Sequence, residues 1–224
     1  MSLQTIIDSA VSVEINRTKL VAQSLSRSGK ILTVARNWSN PWRFTVAPQP
    51  VWPYTEYRDE FEAVIEGDRI TTHTFSFGNS AGQRWTMGYL GNAPGGTTGA
   101  GGTLTGITVT SWSGTSLVID TTSVSNGVQV VKVGDVIQPT NHRYPYVVTA
   151  ATNNGVRNAT SMTITTHRGY QPQASYTVTG QTVKVGTSCV FYVKVFNIPN
   201  VKLIPGKLAE FTGDFELVEE VLGV

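Results

Sequence analysis

The stretch PWRFTVAPQPVWPYTEYRDEF, residues 41–61, decides the fold. Its first part alternates. Trp42, Phe44 and Val46 fall on one parity, Arg43 and Thr45 on the other, which describes a strand with one apolar face. Pro48, Pro50 and Pro53 follow. Each withholds a backbone donor and fixes φ, so the spacing predicts a stiff, extended connector that is neither helix nor ladder. The period then changes. Tyr57, Phe61, Val64 and Ile65 recur at the i, i+4, i+7, i+8 spacing of one helical stripe. Thr55 reads as the N-cap, Glu56, Asp59 and Glu60 sit near the positive end of the dipole, and Gly67 reads as the stop. A helix of about 11 residues spans roughly 16 Å and is marginal alone in water, so it is expected to lie on a sheet. The stretch therefore reads as a packing corner of a β-rich assembly rather than an active site.

The rest of the chain agrees with that reading. Charged residues make up 14% of the 224 positions, against a usual quarter or so, and Gly, Thr, Ser and Val fill the gap, which favours strands and turns. The net charge of +2 shows neither the surplus nor the basic stripe of a nucleic-acid binder. The single cysteine, Cys189, lies in the apolar run SCVFYVKVF, which predicts a buried, inert thiol and excludes an internal disulfide. The start MSLQTIIDSAVSV has no basic region ahead of an apolar core, and no run of about 18 apolar residues occurs. A soluble protein, made without a leader in a reducing compartment, is the expectation.

Charge is unevenly spread. Residues 1–90 hold 17 charged side chains, residues 91–182 only six (Asp120, Lys132, Asp135, Arg143, Arg157 and Arg168), and residues 183–224 nine. The flanks resemble each other and the middle does not. This predicts one domain built from both chain ends, 1–90 and 183–224, with a second domain, 91–182, inserted into it. GNAPGGTTGAGGTLTG, residues 91–106, reads as a flexible connector. It lacks the Gly-Lys-Ser/Thr ending and the following helix of a phosphate-binding loop.

Strand patterns run through all three zones. VSVEINRTKLVA and GKILTVAR flank a turn at SLSRSG. RITTHTFSFG and QRWTMGYL follow the helix around a turn near GNSAG. GITVTSW, TSLVIDT, KVGDVIQPT, YPYVVTAAT, ATSMTITT and ASYTVTG are short candidates separated by turn chemistry, which suggests a small barrel or sandwich. TSCVFYVKVFNIP and FELVEEVL close the chain. The fold class is mainly β, with one short helix in the charged flanks and a small barrel or sandwich in the middle.

Catalytic chemistry is not legible. His73, His142 and His167 are scattered, and no spacing suggests a triad, a metal site or a cofactor, so solvated or hydrogen-bonding histidines are expected. Glu56, Asp59, Glu60, Glu62 and Glu66 fall on the polar face of the helix. The aromatics Trp38, Trp42, Trp52, Tyr54, Tyr57 and Phe61 are candidates for a packing corner or a subunit interface. Trp52 and Tyr54, flanking Pro53, are candidates to project toward a neighbour. In the insert, Trp112, Tyr144 and Tyr146 are candidates for a ligand surface, with a glycan as the ligand.

The order of elements resembles a known family. Strands, a Pro-rich corner, a helix reading YTEYRDEFEAVIEGDR, then FSFGN and RWTMGYLGN resemble the ring-forming domain of distal tail proteins of long-tailed bacteriophages. KVGDVIQPTNHRYPYVVTA, residues 132–150, resembles a hairpin of phage tail accessory proteins, and KLAEFTGDFELVEEV resembles their final strands. The resemblance covers nearly the whole chain in layout, with motifs of moderate specificity. It implies a non-enzymatic virion protein at the tail tip, assembled in the host cytoplasm as a homohexameric ring, its ring-forming body β-sandwich-like with one short α-helix and its insert a small oligonucleotide/oligosaccharide-binding (OB-like) β-barrel that points outward. The implied partners are the tail tube protein, the tail-tip hub protein and the tape-measure protein, with DNA passing through the lumen unbound. A carbohydrate-binding tail accessory module that takes a host-surface glycan, and a tail tube or terminator ring protein, are the alternatives.

Overall fold

The computed structural model describes residues 2–17, 21–25, 31–35, 41–67, 70–78, 85 and 87–221, and for 2, 21–25 and 31–35 the backbone alone. In chain order the elements are α1 (Ser2–Ser9), β1 (Ser12–Asn16), β2 (Val21–Leu25), β3 (Ile31–Ala35), β4 (Arg43–Ala47), β5 (Trp52–Pro53), α2 (Tyr54–Glu66) and β6 (His73–Ser76). There follow β7 (Gly101–Ser113), β8 (Ser116–Asp120), β9 (Val136–Pro139), β10 (Tyr146–Ala151), a short 3-10 turn (Thr152–Gly155), β11 (Ser161–Thr166) and β12 (Thr182–Gly186). The chain ends with β13 (Val190–Asn197), β14 (Val201–Ile204), β15 (Leu208–Phe211) and β16 (Phe215–Glu219). The protein is mainly β.

A five-stranded antiparallel sheet, ordered β1-β4-β16-β13-β6, takes strands from both ends of the chain. Strand β16 is its centre, pairing with β4 on one side (Phe215↔Val46, Leu217↔Phe44) and with β13 on the other (Val195↔Leu217, Val193↔Glu219). The alternation read in residues 42–46 holds: Trp42, Phe44 and Val46 are buried and Arg43 is exposed. Their face packs against α1, α2 and a second sheet, β14-β15-β5. Strands β2 and β3 form a separate hairpin. The turn expected between them lies outside the described residues, as does the one near GNSAG.

Several expectations are corrected. Among the described residues there are two α-helices, not one. Leu3, Ile6, Ile7 and Ala10 repeat at i, i+3, i+4, i+7 and are all buried, so α1 is amphipathic by the same rule as α2. The Pro-rich connector does enter a ladder, because Trp52 and Pro53 pair with Ala209 and Leu208 at a sheet edge, where a missing donor is tolerated. Helix α2 starts at Tyr54, with Pro53 rather than Thr55 in the N-cap position and no side-chain cap. The Tyr54 N–H donates instead to Lys207 O at 2.9 Å. Gly67 does end α2, but in right-handed geometry. Residues 87–90 form no strand. Trp85 and Met87 pack on the body core, whereas Tyr89 turns into the barrel.

Helix α1 also seals a sheet edge. The Gln4 amide donates to Ser76 O at 3.0 Å and accepts from Ser76 N at 2.9 Å, occupying both backbone groups of that β6 residue. Substituting Gln4→Ala is expected to lower unfolding stability by about 1 kcal/mol in urea titration, since water can replace the amide there.

The middle of the chain forms a closed barrel, ordered β10-β11-β8-β7-β12-β9. Its core is Leu104, Ile107, Val109, Leu117, Ile119 and Ile164 with their neighbours. The tract at 91–106 is not a flexible connector. Its second half is the start of β7, and its first half is pinned by Asn92 N to Gln129 O at 2.7 Å and Thr105 N to Pro94 O at 2.9 Å. The expected strand ASYTVTG is a run of turns. Strand β12, which pairs with both β7 and β9, closes the barrel in its place. The compositional boundary at 182/183 thus cuts through a barrel strand.

Candidate functional site

The chemistry of this chain is concentrated where barrel meets sheet. Strand β16 alternates Phe215, Leu217, Glu219 on its inner parity, so Glu219 points into the core like the two apolar residues before it. Arg168 follows β11 directly and comes from the barrel side. Both side chains have 0% exposure. The guanidinium grips the carboxylate with two nitrogens, Nη1 to Oε2 and Nη2 to Oε1, the latter at 2.7 Å.

Further hydrogen bonds reach the pair from both sides. Arg168 Nη2 donates to Pro145 O at 2.9 Å, and the same oxygen accepts Trp42 Nε1 at 3.1 Å. The backbone N–H of Trp42 donates to Glu219 Oε2 at 3.1 Å. Arg168 also lies over the rings of Tyr146, at 5.1 Å, and Tyr144, at 5.8 Å. Burial works most strongly against its cation, but the charge and hydrogen bonds of Glu219, with Tyr146 and Tyr144, together outweigh it, and its pKa lies above the ordinary arginine value.

Two further contacts extend the seam. Gln138 of β9 accepts from Val190 N at 2.8 Å and donates to Val190 O at 2.9 Å, copying a ladder pair with a side chain. Arg143 pairs with Glu220 and lies 4.7 Å over the Tyr192 ring. Glu220 also takes Thr72 Oγ1 at 2.7 Å and Lys194 Nζ at 3.3 Å. Burial alone would raise the Glu220 pKa, but these donors and cations hold it below the usual carboxylate value. Val136 and Val147, from barrel strands, complete the apolar core of the body.

The aromatic corner is core. Trp42, Trp52 and Phe61 are buried, so Trp52 does not project toward a neighbour. Its Nε1 donates to Gln49 O at 2.8 Å, and its ring meets Tyr57 and Phe61 edge-on at 5.0 and 5.4 Å. Tyr54 and Tyr57 are half-buried, with Tyr54 OH 3.3 Å from Glu62. Trp38 lies outside the described residues. The acidic residues of α2 form a solvated face, with Glu56, Asp59, Glu62 and Glu66 exposed.

The ligand surface expected in the insert is corrected. Tyr144 and Tyr146 are 1% and 0% exposed. They share the parity of Val148 and fill the barrel, and Tyr146 OH accepts Gln171 N at 2.9 Å. Trp112 is half-buried against Tyr146, with ring centroids 4.5 Å apart. A glycan platform loses two of its three residues.

His142 hydrogen-bonds as expected, but it is buried. Its Nδ1 accepts Tyr144 N–H at 3.2 Å and its Nε2 faces Gln171 O at 3.1 Å, inside a ring of Tyr144, Tyr146, Tyr170, Tyr176 and Trp112. Burial lowers its pKa to about 4. Unfolded histidine titrates near 6.5. The unfolded chain therefore binds this proton first, so stability is full above pH 6.5 and falls as pH drops toward 4, by about 3 kcal/mol at the limit. Urea titrations from pH 7 to 4 should show that slope, and His142→Gln should flatten it. His167 Nδ1 accepts Val147 N–H at 3.0 Å, and His73 is half-buried between Thr72 and Thr74.

Among the described residues, no group of three His, Cys, Asp or Glu side chains is placed to hold a metal. Among the described residues, no helix is long and apolar enough to cross a membrane. Cys189 is fully buried, as its apolar run predicts, with Sγ 3.6 Å from Val136 O, and burial raises its thiol pKa. Sequence reasoning missed Arg168, Glu219 and Gln138. The available signal was an acidic residue on the apolar parity of β16. Compared with family models and with curated proteins, the chain matches none.

Proposed function

We propose that this chain is a structural component of a bacteriophage tail, a distal tail protein whose copies close into a ring between tail tube and tail-tip hub. The observation that supports this reading best is the layout. A sheet drawn from both chain ends is joined to a separate closed barrel formed by the middle of the chain, which is the arrangement the sequence resemblance implies. A ring closes only if each copy presents the same shape, since a variable rotation between neighbours gives open filaments. The polar, mixed-charge outer parity of the sheet, with Glu14, Arg43 and Glu216 exposed, suits a wall that DNA passes without being gripped.

Electron microscopy of the purified chain, alone and with its tail tube protein, tests the proposal. Closed rings of about six copies are expected, at least in the presence of the tube. Monomers under both conditions would count against it.

A further inference from the structure

We infer that the Arg168–Glu219 pair is an alignment key: it sets the angle of the barrel on the sheet and joins the two cores into one cooperative unit. Two acceptors at its centre are shared between the bodies. Glu219 Oε2 receives Arg168 from the barrel and the Trp42 N–H from the sheet, and Pro145 O receives Arg168 Nη2 and Trp42 Nε1. A rotation of the barrel about this point breaks several charge-assisted bonds at once, where no water can replace them. Gln138 on Val190 and Arg143 on Glu220 fix the barrel at two further places.

The chain order makes the dependence strict. Arg168 belongs to the barrel, but its counter-charge arrives only with the last strand. Closing the body over Arg168 without Glu219 would bury an uncompensated cation, which is strongly unfavourable. The insert has its own apolar core, but its seating on the body depends on a residue that the last strand supplies. Buried ion pairs add little stability over apolar residues of similar volume, so the role left to this pair is direction rather than strength.

The test uses the full chain. Under increasing urea, amide hydrogen exchange in β8 and β11 should lose protection at the same midpoint as in β13 and β16. A barrel that stays protected after the sheet has lost protection overturns the cooperative unit, and this needs no variant. Glu219→Gln should lower the melting temperature by about 10 °C. An unchanged melting temperature overturns the key. The double variant Arg168→Met with Glu219→Leu should recover most of the loss. Spin labels at Thr163→Cys and Glu56→Cys, both exposed positions, should then show a broadened distance distribution. The buried Cys189 will not take label. A double variant with the narrow wild-type distribution, or one that is as unstable as Glu219→Gln or does not fold, overturns the alignment role.

Discussion

Substituting Trp42→Ala is expected to lower unfolding stability by about 4 kcal/mol, near the top of the range for a single core truncation. The ring is fully buried. It stacks on Phe44 at 6.0 Å and meets Phe191 and His167 edge-on at 5.1 and 5.5 Å. Its removal leaves a cavity where the two bodies join and takes one donor from Pro145 O. Trp42→Phe separates the effects. It keeps most of the apolar volume and loses the indole N–H, so a loss of about 1–2 kcal/mol is expected. Urea unfolding followed by circular dichroism measures both, and equal losses for the two variants would show that packing is not the main contribution.

The second large effect is expected at Gly155→Ala. Gly155 has φ +78°, and a Cβ there would lie 1.9 Å from Val131 O. The backbone cannot retreat cheaply, because Gly155 O accepts Val130 N at 2.8 Å and Asn153 and Asn154 before it are also left-handed. A loss of about 3 kcal/mol or more is expected from strain and clash together. Gly127 is the control. It has φ +80° but open space around its Cα, so Gly127→Ala should cost about 1 kcal/mol from the backbone alone. Thermal unfolding of the two variants side by side measures the difference, and a similar melting temperature for both would contradict the close approach at Gly155.

Periodicity made much of the body legible. Trp42, Phe44 and Val46 on one parity, and Phe61 and Val64 on one helical stripe, are buried as their spacing predicts. The same rule applies to Leu3, Ile6 and Ile7 of α1, which are buried at helical spacing. What spacing could not supply is long-range pairing. Strand β12 reads equally well as part of either zone, and only its partners, β7 and β9, assign it to the barrel. Composition misled at residues 91–106, because a glycine-rich tract looks the same whether it is loose or packed against neighbouring backbone. It misled again at Tyr144 and Tyr146, where aromatic rings in a Thr-rich insert suggested a stacking surface.

The seam was legible only in part. Glu219 on an apolar parity was a visible anomaly, and a charge at such a position requires a partner. Arg168, in a segment with six charged residues, was one of few partners available. Neither residue alone indicates that they meet, since 51 positions separate them and their pairing depends on how the barrel seats. Of the six charged residues in the insert, Arg168 and Asp135 are fully buried, and each is held by hydrogen-bonding partners. Asp135 fits the same logic, buried and accepting from Leu90 N at 2.6 Å and Lys132 N at 2.7 Å.

The most direct test of the proposed role is copy number in the particle. Quantitative mass spectrometry of purified virions, referenced to the portal or hub protein, should find about six copies of this chain per tail, one closed ring. A count running to many rings would identify a tube subunit instead, and absence from purified virions would contradict the tail reading altogether.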